Sequence, residues 1–207
     1  MLPETTLPHN RQFVSLRDDP PPFIVRWPVI SSMGPVDPRR RYDDLLELSA
    51  EEMFSTAEFE EAVDSEPVEM GWVVLGIVFD DDGNVLLIEQ PWADGWLFPG
   101  GVPKPGETLE TALVREVKEE TGIEATSLRA RGVEDLTIAD ESTDRTVGWT
   151  AAFFEATADT TTIDRDPGID DETITDIRWF DGLPDEMYNP DVTKRVYRQC
   201  RTETTTE

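Results

Sequence analysis

Residues 100–123 read GGVPKPGETLETALVREVKEETGI, a glycine loop running into a helix that stops at Gly122. At about 100° per residue, Leu109, Ala112, Leu113 and Val117 form one apolar stripe, the face that seeks a core. Glu116 and Glu120 fall inside that arc and Glu119 sits at its edge, while Arg115 and Lys118 point away. The three glutamates are neighbours at i, i+3 and i+4, so they repel one another and crowd the negative end of the helix dipole. A merely solvated acidic face would lie opposite the apolar stripe. This helix aims its carboxylates at the protein, an arrangement that is tolerable when it holds cations. Oxygen-only ligands suit Mg²⁺ or Mn²⁺ rather than zinc. The blander alternative is an acidic helix with no ligand.

The chain has 207 residues, enough for one domain with an extension. A net charge of −27 would fit a disordered acidic protein, but 38% hydrophobic residues and six tryptophans argue for a folded core. The excess of acid suits a surface kept soluble in concentrated salt, and a halophilic, archaeal source is expected. With no broad basic patch, binding to a nucleic-acid polymer is not expected. Cys200 is the single cysteine and His9 the single histidine, which leaves no disulfide framework, zinc cluster or histidine-based triad. The longest apolar run, residues 72–79, is too short to span a bilayer, and no secretory signal precedes it. The expected location is the cytoplasm, away from membranes.

Along the chain, residues 1–67 form an N-terminal extension, proline-rich and then helical. Phe23, Val25, Trp27 and Val29 alternate as in a short strand, and Arg39-Arg40-Arg41 reads as a solvated loop. Residues 43–63 read as one helix or two short ones, with Ser49-x-x-Glu52 and Ser55-x-x-Glu58 as candidate capping boxes. Met53, Phe54, Ala57 and Phe59 are the residues expected to dock it. A main domain follows over 68–200. Residues 71–79 are a buried strand, 80–84 a tight turn and 85–89 the returning strand. Trp92 and Trp96 fit either base stacking or core packing. Residues 128–138 and 147–155 pair as strands, 157–171 form a Thr/Asp-rich loop, 172–180 a further strand, and Pro190 opens a last helix. Residues 201–207 are a tail.

The stretch at 101–123 resembles the signature of the Nudix hydrolase family, G-x5-E-x7-R-E-U-x-E-E-x-G-U with U aliphatic. Here those positions are Gly101, Glu107, Arg115, Glu116, Val117, Glu119, Glu120, Gly122 and Ile123, with none missing. The resemblance implies an α/β fold, a Nudix-like α/β/α sandwich with a mixed sheet and a loop–helix–loop catalytic motif. It implies Mg²⁺ or Mn²⁺ on Glu116, Glu119 and Glu120, with the Gly100 carbonyl joining. Glu107 and Arg115 would pair to hold the loop, and Gly101 and Gly122 would serve backbone conformations that a side chain hinders. The reaction implied is hydrolysis of a diphosphate linkage in a small nucleoside diphosphate derivative such as ADP-ribose, a nucleotide sugar or a nucleoside triphosphate. Its general base would be Glu119, Glu120 or a loop carboxylate such as Glu172, and a homodimer is a compatible assembly. Two alternatives remain open: a non-catalytic nucleotide sensor on the same fold, and an isopentenyl diphosphate isomerase-like enzyme. The second wants a catalytic cysteine, and Cys200 in the last helix is badly placed for that.

Overall fold

The structure, a computed structural model, describes residues 13–17, 35–163 and 174–201. The strand expected around Phe23 to Val29, His9, and the loop carboxylates Asp170, Asp171 and Glu172 lie outside the described residues.

Among the described residues, eight strands form one mixed sheet in the order β1-β2-β6-β7-β3-β4-β8, with the short β5 paired to β3. They are β1 (Phe13–Arg17), β2 (Leu46–Phe54), β3 (Trp72–Phe79), β4 (Val85–Glu89), β5 (Gly100–Gly101), β6 (Ala125–Asp140), β7 (Thr146–Ala158) and β8 (Asp176–Phe180). The helices α1 (Thr56–Val63), α2 (Glu66–Met70), α3 (Leu109–Thr121) and α4 (Pro190–Arg201) cover its faces. The centre is a parallel pairing of β3 with β7, and β6 joins β7 as a long antiparallel hairpin. Buried on both faces, β3 can only be a near-continuous apolar run, Trp72-Val-Val-Leu-Gly-Ile-Val-Phe79. The Asp80 carboxylate caps the tight turn after it, accepting from the backbone N–H groups of Asp82 and Asn84.

Side chains alternate between the two faces. Val74, Val78, Ala152 and Phe154 pack against Leu109, Ala112, Leu113 and Val117 of α3. On the opposite face Ile77, Leu87, Ala151 and Phe153 pack against Val192, Val196 and Cys200 of α4, while Ala50, Phe54, Leu136, Ile138 and Trp149 receive Phe59 and Ala62 of α1. The apolar stripe read on α3 is therefore its buried face.

The helix expected over 43–63 requires correction. Residues Leu46–Phe54 are strand β2, paired in parallel with β6 from Leu46↔Gly132 to Phe54↔Asp140, and only Thr56–Val63 is helical. Helix-forming residues here yield to a ladder partner distant in sequence, and Ala50, Glu52 and Phe54 alternate as buried positions with exposed Glu51 and Met53. Ser49 and Glu52 lie inside that strand and cap nothing. Ser55 and Glu58 do form a capping box. Of the expected docking residues, Phe54 and Phe59 are buried, whereas Met53 and Ala57 are exposed. In the arginine run Arg40 and Arg41 are exposed, as expected of a solvated stretch, although Arg41 reaches Glu110 on α3, whereas half-buried Arg39 binds Asp37, Glu47 and Asp135. No helix among the described residues is long and apolar enough to cross a membrane.

Candidate functional site

Helix α3 starts at Thr108, whose hydroxyl accepts from the Thr111 N–H, and ends at Gly122 in the left-handed conformation, φ 75°. Between these ends Glu120 is fully buried and Glu116 is 7% exposed. Glu120 Oε2 accepts from the Gly100 backbone N–H at 2.7 Å, and its other oxygen lies 3.4 Å from the Gln90 amide nitrogen. The loop before the helix is thereby fastened to it. Gly101 is required by close approach, since a Cβ there would lie 2.6 Å from the Glu116 carboxyl carbon. At Gly100 a Cβ would lie 2.0 Å from the Val74 carbonyl oxygen of β3.

Arg115 does not point away as the helical wheel implied. Its guanidinium curls back, with Nε and Nη2 donating to the two oxygens of Glu107 at 2.9 Å and Nη2 also to the Val102 carbonyl at 3.2 Å. Nη1 meets Glu116 at 2.7 Å and Glu119 at 2.9 Å. The Glu107 hydrogen bonds raise the Arg115 pKa above its ordinary value, opposed by burial and assisted by the Glu116 charge. Reciprocally, the Arg115 fork holds the Glu107 carboxyl below the usual range, burial opposing and the Lys104 N–H assisting. The expected Glu107–Arg115 pair is thus present, and Glu119 is the most exposed box glutamate, its side chain 41% accessible and 3.7 Å from Lys104 Nζ.

Among the described residues no three candidate ligands stand together as a ready-made metal shell. The ion pairs explain this: one arginine spans Glu116 and Glu119 while Glu120 is turned to the loop. The donor chemistry still fits a hard divalent cation, because the Glu116 carboxylate reaches the loop at Gly101 and the Glu120 carboxylate reaches it at Gly100, and carboxylate oxygens suit such an ion.

Beside this helix a cavity of about 350 Å³ opens on the α4 face of the sheet, its wall including Gly100, Gly101 and Glu120. Gln90, Trp92, Tyr188 and Asn189 line it as well, and Trp92 meets Tyr188 edge-on at 5.5 Å. Trp96 instead packs on Phe180 at 4.7 Å, with Arg178 over its ring at 5.3 Å. One of the two tryptophans is a cavity residue and the other is packing. Tyr188, Asn189 and Glu134 were not marked by the sequence, and Glu52 was marked only as a helix cap. The only local signal was at Glu52, a carboxylate in an otherwise buried period-two row.

Known proteins share sequence and fold with this chain. The CTP pyrophosphohydrolase of Escherichia coli is 44% identical over 57 residues, 26% of this chain and 42% of its own. The 8-oxo-dGTP diphosphatase of Proteus vulgaris is 34% identical over 89 residues, 41% of this chain and 74% of its own. The match spans less than half the length of the first curated relatives. Among solved structures, a NUDIX hydrolase from Nitrosomonas europaea superposes with a TM-score of 0.50 at 24% identity, over 64% of this chain and 89% of its own, a likeness of fold. The profile of the NUDIX domain matches residues 70–197, well over half of the chain, and the chain belongs to the Nudix family.

Proposed function

We propose that this protein hydrolyses a diphosphate linkage in a nucleoside diphosphate derivative, with Mg²⁺ or Mn²⁺ held by Glu116, Glu119, Glu120 and the Gly100 carbonyl. The observation that carries the reading is the burial of Glu116 and Glu120 on the protein-facing side of α3, with Glu120 in the wall of the cavity. Buried carboxylates are costly unless a cation or hydrogen bonds compensate them. A bound divalent ion supplies positive charge to the pyrophosphate oxygens and the leaving phosphate. The chain's own residues do the rest. Glu120 fastens the glycine loop, and Arg115 holds Glu107, Glu116 and Glu119 in one array. Glu119, the most solvent-accessible of the three, accepts the proton of the attacking water. One phosphorus–oxygen bond forms and the bridging one breaks, releasing a nucleoside monophosphate and the second phosphate-bearing fragment. Glu172, which lies outside the described residues, is a second base candidate.

Relatives named for CTP and for 8-oxo-dGTP support a nucleotide substrate. The high acidic charge supports work in concentrated salt, in a cytoplasm of that kind. The test is phosphate release from a panel of nucleoside triphosphates, ADP-ribose, nucleotide sugars and NADH in high salt with Mg²⁺ or Mn²⁺. A phosphatase is added to reveal monophosphate products. Metal-dependent turnover of one compound, lost in Glu119→Gln and Glu120→Gln, is the expected result. Binding of metal and nucleotide with no turnover anywhere would replace hydrolysis by sensing.

A further inference from the structure

The loop before α3 carries a cation on a fixed mount. Lys104 stands between Pro103 and Pro105, and a tight turn begins at it. The Glu107 N–H donates to the Lys104 carbonyl at 3.0 Å, and Gly106, at φ 89°, takes the corner where such turns favour glycine. The Glu107 carboxylate accepts from the Lys104 N–H at 2.8 Å and is itself gripped by the Arg115 fork. Through Glu107 and Arg115 the turn is tied to the helix that bears the glutamates. The Lys104 backbone is therefore held, while its side chain is 61% exposed. Its ammonium lies 3.7 Å from Glu119 Oε1, beyond hydrogen-bond length.

A lysine suits that place better than an arginine. A guanidinium fork locks onto a carboxylate, as Arg115 does with Glu107. An ammonium is a point charge with three donors on a flexible stem, able to turn from one anion to another. Its position also gives it a direction. Glu120 lies in the cavity wall, whereas Glu119 and Lys104 lie outside the lining, with the Glu119 side chain 41% exposed. A nucleotide whose nucleoside occupies the cavity leads its phosphates outward past the glutamates, to the rim where Lys104 stands. When Glu119 turns to a divalent ion, the ammonium keeps its charge and meets the outward phosphate. A free terminal phosphate carries about two negative charges near neutral pH, and one esterified to a sugar carries fewer.

We propose that Lys104 binds the outward phosphate of the substrate and so favours nucleotides that end in a free phosphate over those capped by a sugar. The nucleotide class rests on the hydrolase reading above, and inorganic pyrophosphate, which probes the anion site without turnover, separates the two. Calorimetric titrations in high salt measure Mg²⁺ alone, then pyrophosphate on the Mg²⁺-saturated protein. In Lys104→Gln pyrophosphate should bind about 5-fold or more weakly, the value of a charged hydrogen bond reduced for its exposure. Mg²⁺ binding and the melting temperature should stay as in the wild type, and Lys104→Arg should recover part of the pyrophosphate affinity. Steady-state kinetics on ATP and ADP-ribose, which share a base, should show KM raised more for ATP, with kcat nearly unchanged. No binding of pyrophosphate to the wild type, equal affinity in Lys104→Gln, or a parallel loss of Mg²⁺ binding would overturn the proposal. So would an equal rise in KM for both substrates. Turnover with pyrophosphate affinity unaltered in Lys104→Gln removes this proposal and leaves the hydrolase. A Lys104-dependent pyrophosphate site in a protein that turns nothing over does the reverse.

Discussion

Gly101 and Arg115 set the geometry of the glutamates by opposite means, one by absence and the other by reach. A methyl group at Gly101 must push the Glu116 carboxyl aside, since the added Cβ would sit 2.6 Å from its carbon. Displacements of about 1 Å can cost on the order of 100-fold in rate, and Gly101→Ala is expected to lose activity on that scale with an unchanged far-UV spectrum. Steady-state kinetics beside circular dichroism check this. Arg115→Ala removes every contact of the guanidinium fork and should lower stability by about 2 kcal/mol in urea unfolding. Arg115→Lys should recover only part of it, because an ammonium cannot reproduce the fork. Glu107 carries a pH signature. Its folded pKa lies below the ordinary 4.5, so its contribution is present above 4.5 and is lost as pH falls through the lower folded value. Thermal melts between pH 7 and pH 3 should drop at the acid end, and Glu107→Gln should flatten that drop. The buried side of α3 was legible because a helical wheel reports where Cβ atoms point. The path of Arg115 was not, since a long side chain can return to the face its Cα leaves.

Among the elements, α3, β3, β4 and α4 were legible in the sequence because their patterns are local: a 3.6-residue stripe, an unbroken apolar run, an Asp-Gly turn, a proline start. β2 was not. Glutamates, leucine and methionine favour helix intrinsically, and the capping-box pattern Ser49-x-x-Glu52 lies there, while the determinant of the strand is a ladder to β6. The cavity was hidden for a related reason, as its walls come from β2, β6, β7 and the segment before α4. Where a local signal stands alone it decides the structure, as at Ser55, whose hydroxyl accepts from the Glu58 N–H while Glu58 reaches back to the Ser55 N–H. Ser55→Ala is expected to cost about 1 kcal/mol in denaturant unfolding and to leave kcat and KM unchanged.

For the whole molecule the dominant quantity is charge. At −27 the folded chain repels itself, and salt shortens the Debye length from about 10 Å at 0.1 M to 3 Å at 1 M. The melting temperature should therefore rise by about 10 °C or more between 0.1 M and 2 M KCl, several kcal/mol at ~2–4 °C per kcal/mol. Scanning calorimetry across that series checks it, and a flat response would contradict salt adaptation. The parallel pairing of β2 with β6 bears on how such a chain is made. β2 leaves the ribosome early, while its partner β6 is still untranslated. At roughly 5–20 residues per second the wait is on the order of seconds. During synthesis β2 must therefore wait without its ladder partner until the hairpin that receives it has emerged.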